Sequence, residues 1–167
     1  QYGNQNKKKI YEDGLFSPSD VQGINKVAAE YYYKIYSSIF DFNVMSIRFP
    51  ACFGKNQKIA GHDIGLIGYL INNALLDKEI EIYGKDRIRN FIYIDDLVDI
   101  IFKLSEKNIE KFISLNISGQ SIKLFELAEK VVKYCESGNI LEKRLPSTIQ
   151  KIDMGNAQMC EENLIKL

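Results

Sequence analysis

At 167 residues, with 46% hydrophobic and 26% charged side chains, the chain has ordinary globular usage and enough length to bury a core. Its 22 basic and 22 acidic side chains cancel, which leaves no overall field to gather nucleic acid or anionic lipid. The longest apolar stretch, residues 64–76, is interrupted by Asn72 and Asn73 and is too short to span a bilayer.

The chain opens on Gln1 rather than Met, and the expectation is a piece of a longer protein. Lys7, Lys8 and Lys9 follow Asn4, Gln5 and Asn6; this basic run reads as a solvated loop, with a polyanion patch as the alternative. Val21, Ile24, Ala28, Tyr31, Ile35 and Ile39 recur at three- and four-residue steps, predicting a helix over residues 20–40 with Asp20 as its cap. The Tyr31-Tyr32-Tyr33 run on that helix reads as core or interface packing rather than base stacking. Residues 43–49 read as a buried strand ending at Pro50. Gly61, Gly65 and Gly68 imitate a phosphate-cradling spacing, but they follow a polar loop and run into a helical pattern, so they read as loop and helix glycines.

Leu66, Ile67, Leu70, Ile71, Ala74 and Leu75 mark an amphipathic helix, and Glu79-Ile80-Glu81-Ile82 alternates as a strand. A short strand over residues 91–94 precedes a helix carrying Leu97, Ile100, Ile101 and Leu104, for which Asp95 and Asp96 read as caps rather than as paired acids or metal ligands. Residues 112–117 give another strand. Leu124, Leu127, Ala128, Val131, Val132 and Cys135 then define a helix that stops at Gly138, and residues 154–167 a short final one. Alternating strands and helices place the chain in the α/β class. Cys52, Cys135 and Cys160 lack Cys-x-x-Cys spacing and read as reduced thiols of a cytoplasmic protein; with His62 the only histidine, no zinc site is expected.

Gln22 and Lys26 are one helical turn apart and project from one face. Around them, Tyr2-Gly3, Ser17-Pro18 and Lys26-Val27-Ala28-Ala29-Glu30 resemble, in order, the Val-Tyr-Gly, the Ser-Pro and the Lys-x-x-x-Glu of the extended short-chain dehydrogenase/reductases that act as nucleotide-sugar epimerases and dehydratases. Arg48 to Gly54 is similar to that family's Arg-x-x-Asn-Val-Tyr-Gly. Tyr83-Gly84, followed by Arg89 to Asp96, is similar to its Tyr-Gly…Arg-Asp-Phe-Val-x-Val-Asp-Asp, and Leu115 to Gly119 to a further strand and glycine turn. Blocks in the right order over most of the chain are far more specific than a lone motif.

The resemblance implies the C-terminal part of a Rossmann-like doubly wound parallel sheet plus a smaller α/β substrate-binding lobe. Residues 1–50 would supply the end of the dinucleotide-binding domain with its catalytic helix, and residues 51–167 mainly the substrate lobe with interleaved Rossmann elements. No glycine fingerprint for a cofactor pyrophosphate is present, as expected if the first Rossmann half lies outside this sequence. An unfinished sheet of this kind would expose strand edges and aggregate alone.

In the family, the lysine at the position of Lys26 holds the nicotinamide ribose and lowers the pKa of a tyrosine four residues earlier, which then takes a proton from a sugar hydroxyl as hydride leaves for NAD or NADP. Gln22 stands at that tyrosine's position. A carboxamide donates and accepts hydrogen bonds but has no accessible pKa, and no tyrosine in the chain is followed by lysine four residues later. Pro50 falls at the carboxyl edge of the sheet, where cofactors of open α/β folds collect. Ala51 replaces an asparagine that commonly reaches the sugar nucleotide. Arg89 resembles the arginine that clamps the substrate diphosphate, the other reading being a surface salt bridge with Glu79 or Glu81. Lys55 replaces a proline and Asn90 an aspartate, while Lys26, Gly54, Gly84 and Arg89 are kept.

Three readings follow: an NAD(P)-dependent nucleotide-sugar epimerase or dehydratase serving polysaccharide synthesis, a dinucleotide or sugar-nucleotide binding protein without turnover, and an inactive remnant or a half that needs a separate N-terminal chain to complete its Rossmann sheet. The resemblance also implies a homodimer through the helix at residues 20–40.

Overall fold

A computed structural model describes residues 1–5, 9–62, 64–153 and 155–167. Its elements run β1 (Lys9–Ile10), α1 (Val21–Phe40), β2 (Val44–Arg48), β3 (Ala51–Phe53), α2 (Gly65–Leu75), β4 (Glu79–Tyr83), β5 (Ile88–Tyr93), α3 (Ile94–Ser105), β6 (Phe112–Asn116), β7 (Gln120–Lys123), α4 (Leu124–Cys135), β8 (Asn139–Lys143), α5 (Ser147–Ile152), β9 (Gln158–Met159) and α6 (Glu162–Lys166). Lys7 and Lys8 of the basic run, and Met154, lie outside the described residues.

Parallel pairing dominates. β2 lies beside β6, with Val44 opposite Phe112 and Arg48 opposite Asn116. β4 lies beside β8, β1 beside β9, and β3 beside β5. Among the described residues the exception is the antiparallel pair β5 and β7, in which Arg89 lies opposite Ile122. Parallel partners need long crossovers, and helices supply them: α3 carries the chain from β5 toward β6, and α4 from β7 toward β8.

Among the described residues, two apolar cores form. Leu70 and Ala74 of α2, Ile80 and Ile82 of β4, and Leu124 and Ala128 of α4 form one, with Ile140 of β8 against it. The helix period of α2 and α4 and the strand period of β4 all aim their apolar residues into this core, and each fully buried Leu or Ile is worth about 1.5–3 kcal/mol. Ile92, Leu97 and Ile117 form the second, flanked by Ile47, Cys52, Ile100 and Leu164. It ties β2, β3, β5 and α3 together.

Asp20 caps α1 as expected, its Oδ1 accepting from Gly23 N at 2.6 Å. Other expectations need correction. The strand near residue 91 is longer and starts at Ile88, because β7 pairs with its first half. Helix α3 therefore begins at Ile94 with Tyr93 at the cap position. Asp95 and Asp96 fall in the first turn with no side-chain capping bond and act on the helix dipole instead. The strand from residue 43 ends at Arg48, and a second strand resumes at Ala51. Helix α4 stops at Cys135 because Glu136 takes the left-handed conformation, φ 52°. The final segment holds β9 before a helix that spans only Glu162–Lys166.

The largest departure concerns α1. Its buried residues are Gly23, Glu30 and Ser37, while Tyr31, Tyr32 and Tyr33 are 54%, 62% and 55% exposed. The tyrosine run is thus outside the core. The three cysteines are free thiols, and among the described residues no helix is long and apolar enough to cross a membrane.

Candidate functional site

Helix α1 is fixed by a buried charge network. Arg48, at the end of β2, is 6% exposed, and Glu30, in the middle of α1, is 8% exposed. Their pairing is two-pronged: Arg48 Nε donates to Glu30 Oε2 at 3.0 Å and Nη2 to Oε1. Ser46 Oγ and Gln1 Nε2 also donate to Oε2, at 2.8 and 3.0 Å. Arg48 reaches on to the Tyr2 hydroxyl, the Glu12 carbonyl (2.8 Å) and Ser114 Oγ (2.9 Å), with its guanidinium over the rings of Tyr2 and Phe16.

Burial pushes the Glu30 pKa up, yet the hydrogen bonds from Arg48, Ser46 and Gln1 outweigh it and hold the carboxyl below its ordinary value. Burial likewise raises the Tyr2 pKa, with Arg48 and Asn116 opposing. The Tyr2 hydroxyl donates to Asn116 Oδ1 at 2.8 Å. Its raised pKa keeps this phenol protonated inside the network. One network thereby locks the first segment, α1, β2 and β6 in a single register.

The start of α1 borders a cavity of about 220 Å³ lined by Gly3, Pro18, Asp20, Gly23, Arg87, Arg89 and Asp153 among others. Gly3 is required at its wall: φ is +62° and a Cβ there would sit 1.8 Å from the Ser17 carbonyl oxygen. Arg89 projects from β5 with its side chain 16% exposed. Its Nη1 donates to the carbonyls of Ile88 (2.7 Å) and Gly155 (3.1 Å), and its Nη2 to Asp153 Oδ1. Arg87 Nη2 donates to the same oxygen at 2.5 Å, and its Nη1 to the Tyr83 carbonyl at 3.2 Å.

Burial and the neighbouring Arg87 push the Arg89 pKa down against the pull of Asp153. Burial raises the Asp153 pKa, but the two guanidiniums prevail and hold it below the ordinary value. The salt-bridge reading of Arg89 thus takes a different partner. Glu81 bonds Lys143 instead, and Arg89 is mostly buried in a cavity wall.

Gln22 and Lys26 are exposed on α1. Among the described residues neither enters the cavity lining. Pro50 is half-buried between β2 and β3, packed so closely on Gly119 that a Cβ there would lie 2.8 Å from Pro50 Cγ. Ala51 is exposed and faces Phe91, two residues along β5 from Arg89. The structure therefore joins the first turn of α1 to Arg89, and places Ala51 on the strand next to it. Arg87 and Asp153 went unread in the sequence. Their signals were weak: an arginine two residues before another, and a carboxylate 64 positions downstream.

A family model described as the NAD dependent epimerase/dehydratase family matches residues 1–118. The chain belongs to this family. A dTDP-4-dehydro-6-deoxyglucose reductase of Escherichia coli is 30% identical over 122 residues, covering 72% of this chain and 38% of that protein. An uncharacterized epimerase/dehydratase of Staphylococcus haemolyticus is 27% identical over 121 residues, again 72% and 38% of the two chains. The chain thus spans well under half the length of these curated relatives. Among solved structures, UDP-glucose 4-epimerase from Thermotoga maritima with UDP-glucose matches with a TM-score of 0.84 at 18% identity, covering 99% of this chain and 52% of that one. UDP-glucose 4-epimerase of Thermus thermophilus in complex with NAD gives 0.80 at 16% identity, covering 99% and 53%. These likenesses show the Rossmann-like α/β fold that the sequence blocks imply.

Proposed function

We propose that this chain is the substrate-gripping part of an NAD(P)-dependent epimerase or dehydratase acting on a nucleotide-activated sugar. The observation that carries this reading is the cavity between the start of α1 and β5, where a partly buried arginine pair meets the turn before the expected catalytic helix. Epimerase/dehydratase membership supports it. So do solved relatives described with UDP-glucose and with NAD.

In this reading Arg89 holds the diphosphate, for which a planar fork of donors is suited. Ala51 lines the path of the sugar nucleotide, without the amide that relatives commonly offer there. Lys26 is exposed on α1, and in this reading its ammonium meets the hydroxyls of a nicotinamide ribose, with Pro50 assigned to the same cofactor. When bound, NAD or NADP supplies the hydride acceptor. Gln22, one turn before Lys26, orients the sugar hydroxyl through its amide and leaves proton removal to another group. Residues 1–50 would then complete a dinucleotide-binding domain, and residues 51–167 mainly the substrate lobe. The exposed apolar residues of α1 would pair two copies into a homodimer. Cytoplasmic polysaccharide synthesis is the setting this reading gives the protein.

The amide at position 22 favours a second reading, a protein that binds dinucleotide or sugar nucleotide without turnover, since a carboxamide cannot act as the base. Gln22→Tyr in the full chain separates the two. Cofactor reduction or sugar interconversion that falls on this change shows that the amide is used; activity that emerges only in the variant identifies a disabled site. Failure of wild type and variant alike to bind any nucleoside diphosphate would refute both readings.

A further inference from the structure

Arg87 and Arg89 are both mostly withdrawn from solvent, with side chains 20% and 16% exposed, and both are paired with Asp153, which is 14% exposed. The two Nη2 groups donate to the same carboxylate oxygen, Oδ1. One negative charge therefore faces two positive ones in a wall of the cavity. Arg87 Nε is buried and has no acceptor among the described residues. Buried donors are almost always satisfied, and an orphan on a charged group calls for a physical reason. The single carboxylate underfills a grip that two forks provide.

We infer that Asp153 is an internal stand-in for a phosphate group, and that Arg87 and Arg89 form a two-armed diphosphate grip whose affinity is set by competition with that carboxylate. A nucleoside diphosphate carries more charge and more acceptor oxygens than a carboxylate. On entering the cavity it takes the two Nη2 groups that now share Asp153 Oδ1 and displaces that carboxylate. This inference rests on the reading above, in which Arg89 meets the diphosphate. It adds a second arm and a built-in competitor.

The attachment of Asp153 suits exchange. It follows the short helix α5 rather than a core element, and its segment is tied down by separate polar contacts. Ser19 Oγ donates to the Ile152 carbonyl at 3.1 Å, Ile88 N to Asn156 Oδ1 at 2.9 Å, and Asn90 Nδ2 to the Ala157 carbonyl at 3.0 Å. These bonds hold the strap beside β5 when the carboxylate lets go.

The test titrates the full chain calorimetrically with inorganic pyrophosphate and with UDP, both at saturating NAD so that any cofactor pyrophosphate site is filled. Arg89→Ala and Arg87→Gln should each weaken binding of pyrophosphate by about tenfold or more, and Asp153→Asn should tighten it by about fivefold. If Arg89→Ala weakens binding while Arg87→Gln and Asp153→Asn stay within about twofold of wild type, the grip is one-armed, Asp153 is a structural bolt, and the inference fails while the diphosphate reading survives. If Arg89→Ala changes nothing, that reading fails and takes the inference with it. Should Asp153→Asn unfold the strap, as seen by circular dichroism, Arg87→Gln alone decides: unchanged pyrophosphate affinity overturns the proposal.

Discussion

Removing the Glu30 carboxylate should be among the most damaging single changes in the protein. Glu30→Ala leaves the Arg48 guanidinium in a site where its side chain is 5% exposed, with hydroxyl and carbonyl partners alone, from Tyr2, Glu12 and Ser114, among the described residues. Deleting one member of a buried pair costs about 3–5 kcal/mol, because the other charge is stranded. At about 2–4 °C per kcal/mol for a domain of this size, the melting temperature should fall by about 6–20 °C. The chain has no tryptophan, so urea unfolding followed by far-ultraviolet circular dichroism is the assay. The double variant Glu30→Met with Arg48→Met should lie nearer wild type than either single change, since apolar replacement of a whole buried pair is often close to neutral. A loss below about 1 kcal/mol for Glu30→Ala would show that the pair is not buried, for that is the range of a solvated surface pair.

The same network sets acid sensitivity. Glu30 has a folded pKa below its ordinary 4.5, so its contribution is full above that value and is lost as pH falls through the folded value. Urea midpoints measured downward from neutral pH should drop steeply in this acid range for wild type and more shallowly for Glu30→Gln; parallel profiles would contradict the assignment. Sedimentation of the full chain should show a dimer through α1, and Ile39→Glu, at a 63% exposed position, should shift it to monomer; a monomeric wild type removes that expectation. Lys26→Met should weaken NAD binding by about tenfold, or about 1.4 kcal/mol, read by equilibrium dialysis; unchanged affinity would detach Lys26 from the cofactor.

Helix α1 and its Asp20 cap were legible because a 3.6-residue apolar period and a capping carboxylate are local signals. Burial was not, since the period reports that a face is apolar and not what covers it. Strands β7 and β8 escaped notice because Gln120 to Lys123 and Asn139 to Lys143 are short and polar; pairing with β5 and β4 makes them strands. The motif blocks named Glu30 and Arg48 separately, but their union across 18 positions belongs to tertiary structure. Arg89 could be singled out by resemblance. Its partner Asp153 could not, as nothing near residue 153 announces a site.

The most direct measurement is a crystal structure of the full chain with NAD and whichever of UDP, dTDP or GDP binds tightest. Lys26 Nζ should lie within hydrogen-bonding distance of the nicotinamide ribose, with the diphosphate on the guanidinium of Arg89 in the cavity beside α1. A nucleotide bound elsewhere, with Lys26 turned to solvent and Arg89 still held by Asp153, would contradict it.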